Sequence, residues 1–164
     1  MPGIRWRWLL TVTVLVAGVA TARFTVCDPV RVSSGSMAPT VCTGDVVVLD
    51  HLAPHRGLGV DDIVTFPSPT DGSEQIKRVV AVAGQRVAIA DAVLQVDGRD
   101  VDEPYVDAAS IDGVYFGPVT VPPGSVFVMG DDRELSVDSR AFGPVPVTSV
   151  DGRLRTTRWS VCPG

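Results

Sequence analysis

The stretch QIKRVVAV, residues Gln75–Val82, is the segment that decides the fold class of this chain. It is rich in β-branched residues and ends at Gly84, which is typical of a buried β-strand. Strand alternation places Val79 and Ala81 on the same face as Lys77. A lysine is unexpected there, because long charged side chains ordinarily lie on edges or face water. The chain has thirteen arginines and this single lysine, so Lys77 is the first candidate for a functional residue.

Short runs of the same kind recur on both sides of that stretch, separated by turns that draw on sixteen glycines and thirteen prolines. They predict a mostly β, barrel-like or sandwich-like domain over residues 27–164, with a small insertion at about 90–118. The other predicted strands are Val30–Val32, Val46–Asp50, Asp62–Phe66, Arg86–Asp91, Val93–Val96, Val119–Val121, Val126–Met129 and Arg153–Ser160.

The N-terminal segment predicts contact with a membrane. Arg5 and Arg7 precede an uncharged apolar stretch, Trp8–Ala22, which is shorter than the roughly 20 residues of an unassisted spanning helix. Snorkelling arginines and interfacial aromatic residues extend the effective span. The flanking arginines place the N-terminus in the cytoplasm. We therefore predict a cytoplasmic segment at 1–5, a transmembrane helix at 6–26 and an extracytoplasmic domain at 27–164.

A cleaved signal peptide is the alternative for the same segment, because Ala20-Thr21-Ala22 has the A-x-A pattern of a cleavage site. Both alternatives export the body of the chain, and an oxidising compartment permits disulfides. Of the three cysteines, Cys42 and Cys162 form the favoured pair, although three free thiols also fit the sequence.

Charge and residue spacing argue against two kinds of binding partner, nucleic acids and metal ions. A net charge of −5 argues against nucleic acid as a partner. His51 and His55 have no cysteine or carboxylate at ligand spacing, so no metal site is predicted.

Nucleophilic catalysis is the chemistry that these residues favour. Ser36 lies in SSGSMAPT, Ser33–Thr40, a turn that can expose its hydroxyl. Such a serine needs a base, and neither histidine lies in a motif. A lysine can serve when burial lowers its pKa, whereas an arginine cannot be deprotonated in a protein. The alternative is a lysine on the solvent face beside Arg78.

A polar segment near the C-terminus, GDDRELSVDSRAFGPVP at Gly130–Pro146, is dense in charged and hydroxyl groups. It is either a solvated loop or a support that holds a hydroxyl such as Ser136 against the lysine amine. Two ion pairs are predicted within it, Asp138 with Arg140 and Asp131 with Arg133.

Together these segments resemble the bacterial type I signal peptidases, a family of serine proteases with a Ser/Lys dyad. The similarity runs from the N-terminal segment to about Pro146, and five motifs stand in the family's order. They are SGSMAPT, TGDVVVLD, KRVVAVAGQ, VLQVDGRDVDEPYV and FGPVTVPPGSVFVMGDDRELSVDSRAFGPVP.

The resemblance implies a role for each matching residue. Ser36 would be the nucleophile, Lys77 the general base, and Ser34 a donor in the oxyanion hole. Ser136 would hydrogen-bond the lysine amine, and Asp138 and Arg140 would form a bracing ion pair. Met37 and Ile76 would line a shallow apolar pocket that accepts small residues. The resemblance also favours a retained membrane anchor over a cleaved signal peptide.

The resemblance implies that the substrates are secretory preproteins with A-x-A cleavage sites, met at the lipid bilayer without a metal or cofactor. One alternative is a self-cleaving protease of the SOS-repressor type, which would need a DNA-binding domain where this chain has an apolar segment. Another is an inactive, membrane-tethered binding module of the same fold. Retention of the sole lysine at the dyad position argues against the inactive module.

Overall fold

The computed structural model describes residues 12–14, 27–107, 113, 115–155 and 162. The predicted anchor at 6–26 lies outside these residues except for 12–14, which are helical. Among the described residues, no helix has the length and apolar character needed to cross a membrane.

Apart from the helical residues 12–14, the described fold consists of eleven β-strands and one short α-helix, and it is mostly β as predicted. Two 3-10 turns, Pro54–Arg56 and Val147–Ser149, accompany them. The strands are β1 Cys27–Arg31, β2 Val46–Asp50, β3 Ile63–Pro67, β4 Glu74–Val82, β5 Arg86–Ala90, β6 Val93–Val96, β7 Arg99–Asp100, β8 Phe116–Thr120, β9 Ser125–Met129, β10 Val145–Pro146 and β11 Gly152–Leu154, and the helix is α1 Ser139–Phe142.

The larger sheet has seven antiparallel strands in the order β1-β2-β11-β3-β4-β9-β10. Strand β4 lies near its middle, which explains why both faces of its apolar run are buried. Its pairing with β3 covers Glu74 to Arg78, whereas its pairing with β9 begins only at Arg78. Among the described residues, the first half of β4 therefore has one edge without a strand partner.

The smaller sheet has four antiparallel strands in the order β7-β6-β5-β8. It occupies residues 86–120, slightly wider than the insertion predicted at 90–118, and its β5–β6 hairpin is where the sequence places it. Three clusters of buried apolar side chains lie within and between the sheets. The cluster around Val87 and Phe127 joins the smaller sheet to β4 and β9.

The strand predictions are confirmed for β2 to β6 and for β9, with end points that differ by at most one residue. Two others are displaced, since β1 begins and ends before the predicted Val30–Val32 and β8 ends before Val121. The last predicted strand, Arg153–Ser160, is confirmed only at its start, since β11 ends at Leu154, and residues 156–160 lie outside the described part.

A disulfide joins Cys42 to Cys162, the pair that the sequence favoured, with Cα atoms 5.4 Å apart. The two cysteines are separated by 120 residues. The bond ties the last described residue to the segment that follows Ser36.

Candidate active site

Ser36 and Lys77 are brought together although 41 residues separate them in sequence, with Ser36 Oγ 2.8 Å from Lys77 Nζ. Ser36 is 5% exposed and Lys77 is 1% exposed. The turn that carries Ser36 is fixed by backbone hydrogen bonds, from Ala38 N to Gly35 O at 2.9 Å and from Asp132 N to Ser36 O at 3.2 Å. The hydroxyl and the amine are therefore in contact within a largely buried site.

Burial controls the charge of the amine. It lowers the pKa of Lys77 to about 8, and the opposing effect of the Asp138 carboxylate is smaller. At neutral pH roughly a tenth of the molecules then carry a neutral amine, because each pH unit changes the ratio tenfold. The amine contacts two oxygens besides Ser36, namely Ile76 O at 3.1 Å and Gln75 Oε1 at 3.2 Å.

Ser136 does not make the bond that the resemblance implied. Its hydroxyl donates to Asp138 Oδ2 at 2.8 Å, and the hydrogen bonds of the Lys77 amine go to Ser36, Gln75 and Ile76 instead. A carboxylate two residues away is a stronger acceptor than a more distant amine, which accounts for the orientation. Gln75, which the sequence did not single out, occupies the position beside the amine.

The predicted ion pair between Asp138 and Arg140 is present, with Arg140 Nε 2.9 Å from Asp138 Oδ1. The Asp138 carboxylate is fully buried and also accepts hydrogen bonds from Ser136 Oγ and Gly130 N. It therefore fixes the segment that passes Ser36.

The predicted pair between Asp131 and Arg133 was wrong. Asp131 forms a buried bidentate ion pair with Arg78, whose Nε and Nη2 lie 2.8 and 2.7 Å from the two carboxylate oxygens. Arg133 pairs with Glu103 instead. Side chains two residues apart in this turn diverge, and each finds its partner on another segment. Tyr105 lies 3.8 Å below the Arg78 guanidinium, measured to its ring centroid.

Those pairs connect three parts of the chain. Arg78 extends from β4, Asp131 follows β9, and Tyr105 belongs to the stretch after β7. Arg78 also donates to Thr40 Oγ1 at 3.3 Å, four residues beyond Ser36. Arg78, the arginine beside Lys77, is thus buried and has a structural role. Its position next to the sole lysine was the one feature of the sequence that could have indicated this role.

Beside the dyad lies a cavity of about 270 Å³. Ser34 borders it with its hydroxyl 3.4 Å from Ser36 Oγ, where it can reach a group bound at the nucleophile. The lining residues are Ser34, Ser36, Ser68, Thr70, Asp71, Gln75, Lys77, Leu135 and Val137.

Met37 and Ile76 are absent from that lining, in contrast to the apolar pocket implied by the resemblance. Met37 is fully buried and Ile76 is 8% exposed, and both pack into the apolar cluster between β1, β2 and β4. Met37 directly follows Ser36, and Ile76 directly precedes Lys77. Since Ser36 and Lys77 face the cavity, these two neighbours point into the core. Leu135 and Val137, 68% and 61% exposed, supply the apolar rim instead.

No group of histidine, cysteine or carboxylate side chains in the described part of the chain could hold a metal ion. His51 lies at the end of β2, with Nδ1 2.8 Å from Asp151 O and Nε2 3.4 Å from Asp28. Neither contact belongs to a set of metal ligands.

Comparisons with known proteins identify the family. The family model for signal peptidase, peptidase S26, matches residues 5–159. The signal peptidase I of Bacillus caldolyticus is 34% identical over 170 residues, covering 96% of this chain and 91% of that enzyme. The signal peptidase I of Mycobacterium tuberculosis is also 34% identical, covering 82% of this chain and 65% of that enzyme. A crystal structure of a signal peptidase I from Enterococcus faecalis has a TM-score of 0.52 at 35% identity, covering 59% of this chain and 96% of that chain.

Proposed function

Because the chain belongs to the signal peptidase family, peptidase S26, we propose that it is a serine endopeptidase that removes N-terminal signal peptides from exported preproteins. Ser36 is the nucleophile and Lys77 is the general base. The observation that carries this assignment is the 2.8 Å contact between Ser36 Oγ and Lys77 Nζ in a buried setting that lowers the pKa of the amine to about 8.

The reaction follows from these positions. The neutral Lys77 amine takes the Ser36 proton while Oγ attacks the scissile carbonyl carbon. The resulting oxyanion is stabilised by the Ser36 backbone N–H and the Ser34 hydroxyl. As the tetrahedral intermediate collapses, the Lys77 ammonium protonates the leaving amine, and an acyl-enzyme remains on Ser36. Water, deprotonated by the same amine, then hydrolyses the ester.

The edge of β4 supplies a binding mode for the substrate. Within the described part of the chain, residues Glu74 to Lys77 pair with β3 on one side only, so an extended peptide can add to the other side as a further strand. Such a peptide would run past Ser36 and place its side chains alternately into the cavity and away from it. The proposed preference for small residues next to the scissile bond, as in A-x-A cleavage sites, rests on the family and not on the size of this cavity.

The apolar N-terminal segment completes the proposal. A helix at residues 6–26 would anchor the enzyme in the lipid bilayer, with residues 1–5 in the cytoplasm and 27–164 outside. Arg5 and Arg7 support this orientation. An enzyme and a preprotein that are both held at the bilayer meet at a raised effective concentration.

The test is cleavage of a purified preprotein with an A-x-A site by the full chain in a non-ionic detergent. Wild-type protein should release the mature product, whereas Ser36→Ala and Lys77→Arg should be inactive. Lys77→Arg is the informative variant, because it keeps the charge but cannot act as a base. Ser149→Ala, outside the site, is the control. Full activity of Ser36→Ala and Lys77→Arg would refute the dyad, and an inactive wild-type protein would favour a binding module.

A further inference from the structure

Gln75 is the side chain that contacts the Lys77 amine where Ser136 was expected. We propose that Gln75 is a positioning residue, whose amide holds the amine so that the nitrogen lone pair faces Ser36. This inference rests on the proposed function, since it assigns the amine as a base. It concerns a residue that neither the motifs nor the resemblance brought forward.

The number of N–H groups on the amine, compared with the number of acceptors around it, supports this assignment. A neutral amine has two N–H groups and one lone pair. Two of its three neighbours, Gln75 Oε1 at 3.2 Å and Ile76 O at 3.1 Å, are oxygens that can only accept. The two N–H groups therefore go to these oxygens. The lone pair is left facing the third neighbour, Ser36 Oγ at 2.8 Å, in the direction from which it must take a proton.

The orientation of the Gln75 amide is fixed from its far end. Ser73 Oγ donates to Asp71 Oδ1 at 2.7 Å, and a carboxylate can only accept. With its proton committed, the Ser73 hydroxyl must accept from Gln75 Nε2 at 2.9 Å. The amide oxygen is then turned toward Lys77. Exchange of oxygen and nitrogen would place two donors against the ammonium and none against Ser73.

Strand geometry explains why these groups align. Residues 73, 75 and 77 are spaced by two, so they lie on one face of β4 and its lead-in turn. Ser73, Gln75 and Lys77 form a polar file there, while Ile76 between them packs into the core. Asp71 anchors the file as a carboxylate, because the Ser73 side chain and backbone N–H lower its pKa.

Two carboxylates are connected to the amine in different ways. Asp138, on the segment after β9, acts directly and favours the protonated form. Asp71 orients the Gln75 amide through Ser73. A change at Gln75 alters the second connection and leaves the contacts of Asp138 with Ser136 and Arg140 in place.

The first experiment measures the amine itself. Lysine labelled with ¹³C at Cε gives one resonance, because the chain has a single lysine, and its pH titration reports the pKa of Lys77 without substrate. Wild-type protein should titrate near pH 8. Gln75→Glu should raise the midpoint by about one unit or more, since an opposite charge in contact favours the ammonium. Gln75→Leu should lower it. Gln95→Leu, the same change in the smaller sheet, is the matched control and should leave it unchanged.

The second experiment separates positioning from a change in basicity. Cleavage of a preprotein is followed at pH values above the measured midpoint of each variant, where the amine is neutral in all of them. Gln75→Leu should lower kcat about tenfold, because the lone pair is no longer aimed at Ser36, while KM changes less. A purely structural role would lower thermal stability and leave the kcat of the folded protein intact. Gln75→Asn, which keeps the amide but is too short to reach, should share the kcat loss.

The outcomes are distinct. Identical titration of Lys77 in wild-type protein, Gln75→Leu and Gln75→Glu would overturn the inference, as would an unchanged kcat plateau in Gln75→Leu and Gln75→Asn. If wild-type protein cleaves no preprotein, the proposed function fails, and the titration still decides whether Gln75 holds the amine.

Discussion

The burial of Lys77 has a consequence for stability that does not depend on catalysis. The amine has a pKa of about 8 in the folded protein against an ordinary value of 10.5. Above pH 10.5 the amine is neutral in both the folded and unfolded states. Between pH 10.5 and 8 the unfolded state binds a proton that the folded state does not, so the free energy of unfolding falls as the pH falls. Below pH 8 both states are protonated and the full penalty remains.

The size of the effect follows from the same two values. Each pH unit between them is worth about 1.4 kcal/mol, so the protonated amine destabilises the folded protein by about 3 kcal/mol at pH 7. A Lys77→Met variant has a side chain of similar length without the charge. Relative to Lys77→Met, wild-type protein should therefore gain about 3 kcal/mol between pH 7 and pH 10.5.

Urea unfolding of the full chain in a non-ionic detergent, followed by circular dichroism at pH 7, 8, 9 and 10.5, measures this difference. Every other titrating group is common to the two proteins, so subtraction isolates Lys77. A wild-type-minus-variant difference that stays constant across the range would show that the amine is not desolvated, and the argument for a neutral base would fail with it.

Four further outcomes are expected. The kcat for preprotein cleavage should rise with pH through an apparent pKa near 8 and level off above it, because only the neutral Lys77 amine accepts a proton; a profile that falls over this range would contradict the assignment. Asp131→Ala should lower the unfolding free energy by about 3–5 kcal/mol, since it leaves the buried Arg78 guanidinium unpaired, as chemical denaturation can show. Gly130→Ala should abolish most cleavage, because its Cβ would lie 2.5 Å from Ser36 O and move the nucleophile's turn; a fully active variant would refute the close approach. Cys42→Ser should destabilise the fold by about 2–4 kcal/mol through loss of the bond to Cys162, and added reductant should change the thermal midpoint of wild-type protein but not of the variant.

The strands could be predicted from the sequence because their physical cause is local. Runs such as Val46–Asp50 and Val93–Val96 are short, β-branched and bounded by turn residues, and the structure has strands at these positions. The meeting of Ser36 with Lys77 was predictable for a different reason. A serine in a Ser/Gly-rich turn and a lone lysine in an apolar strand drew attention to both residues, and the order of the motifs linked them.

The partners of the charged side chains could not be predicted in the same way. Asp131 and Arg133 are close in sequence, which favoured a local pair, but the choice of partner depends on which distant segments the sheet brings nearby. Arg78 reaches Asp131 only because β4 and β9 are adjacent, with Arg78 opposite Met129. Gln75 was overlooked because a glutamine at a strand's start is ordinary until its neighbour is known to be an amine.

The position of β11 in the larger sheet also bears on how the site is held together. Strands β1 and β2 are made first, and β3, β4 and β9 follow, yet β11 lies between β2 and β3 and is made last. In the described sheet, Gly152–Leu154 therefore joins two sets of strands, with Ser36 beside one set and Lys77 on the other. Loop and side-chain contacts, such as Asp132 N to Ser36 O and Arg78 to Thr40, also connect these two sets of strands. The last described strand therefore supplies the backbone pairing that holds these contacts in register.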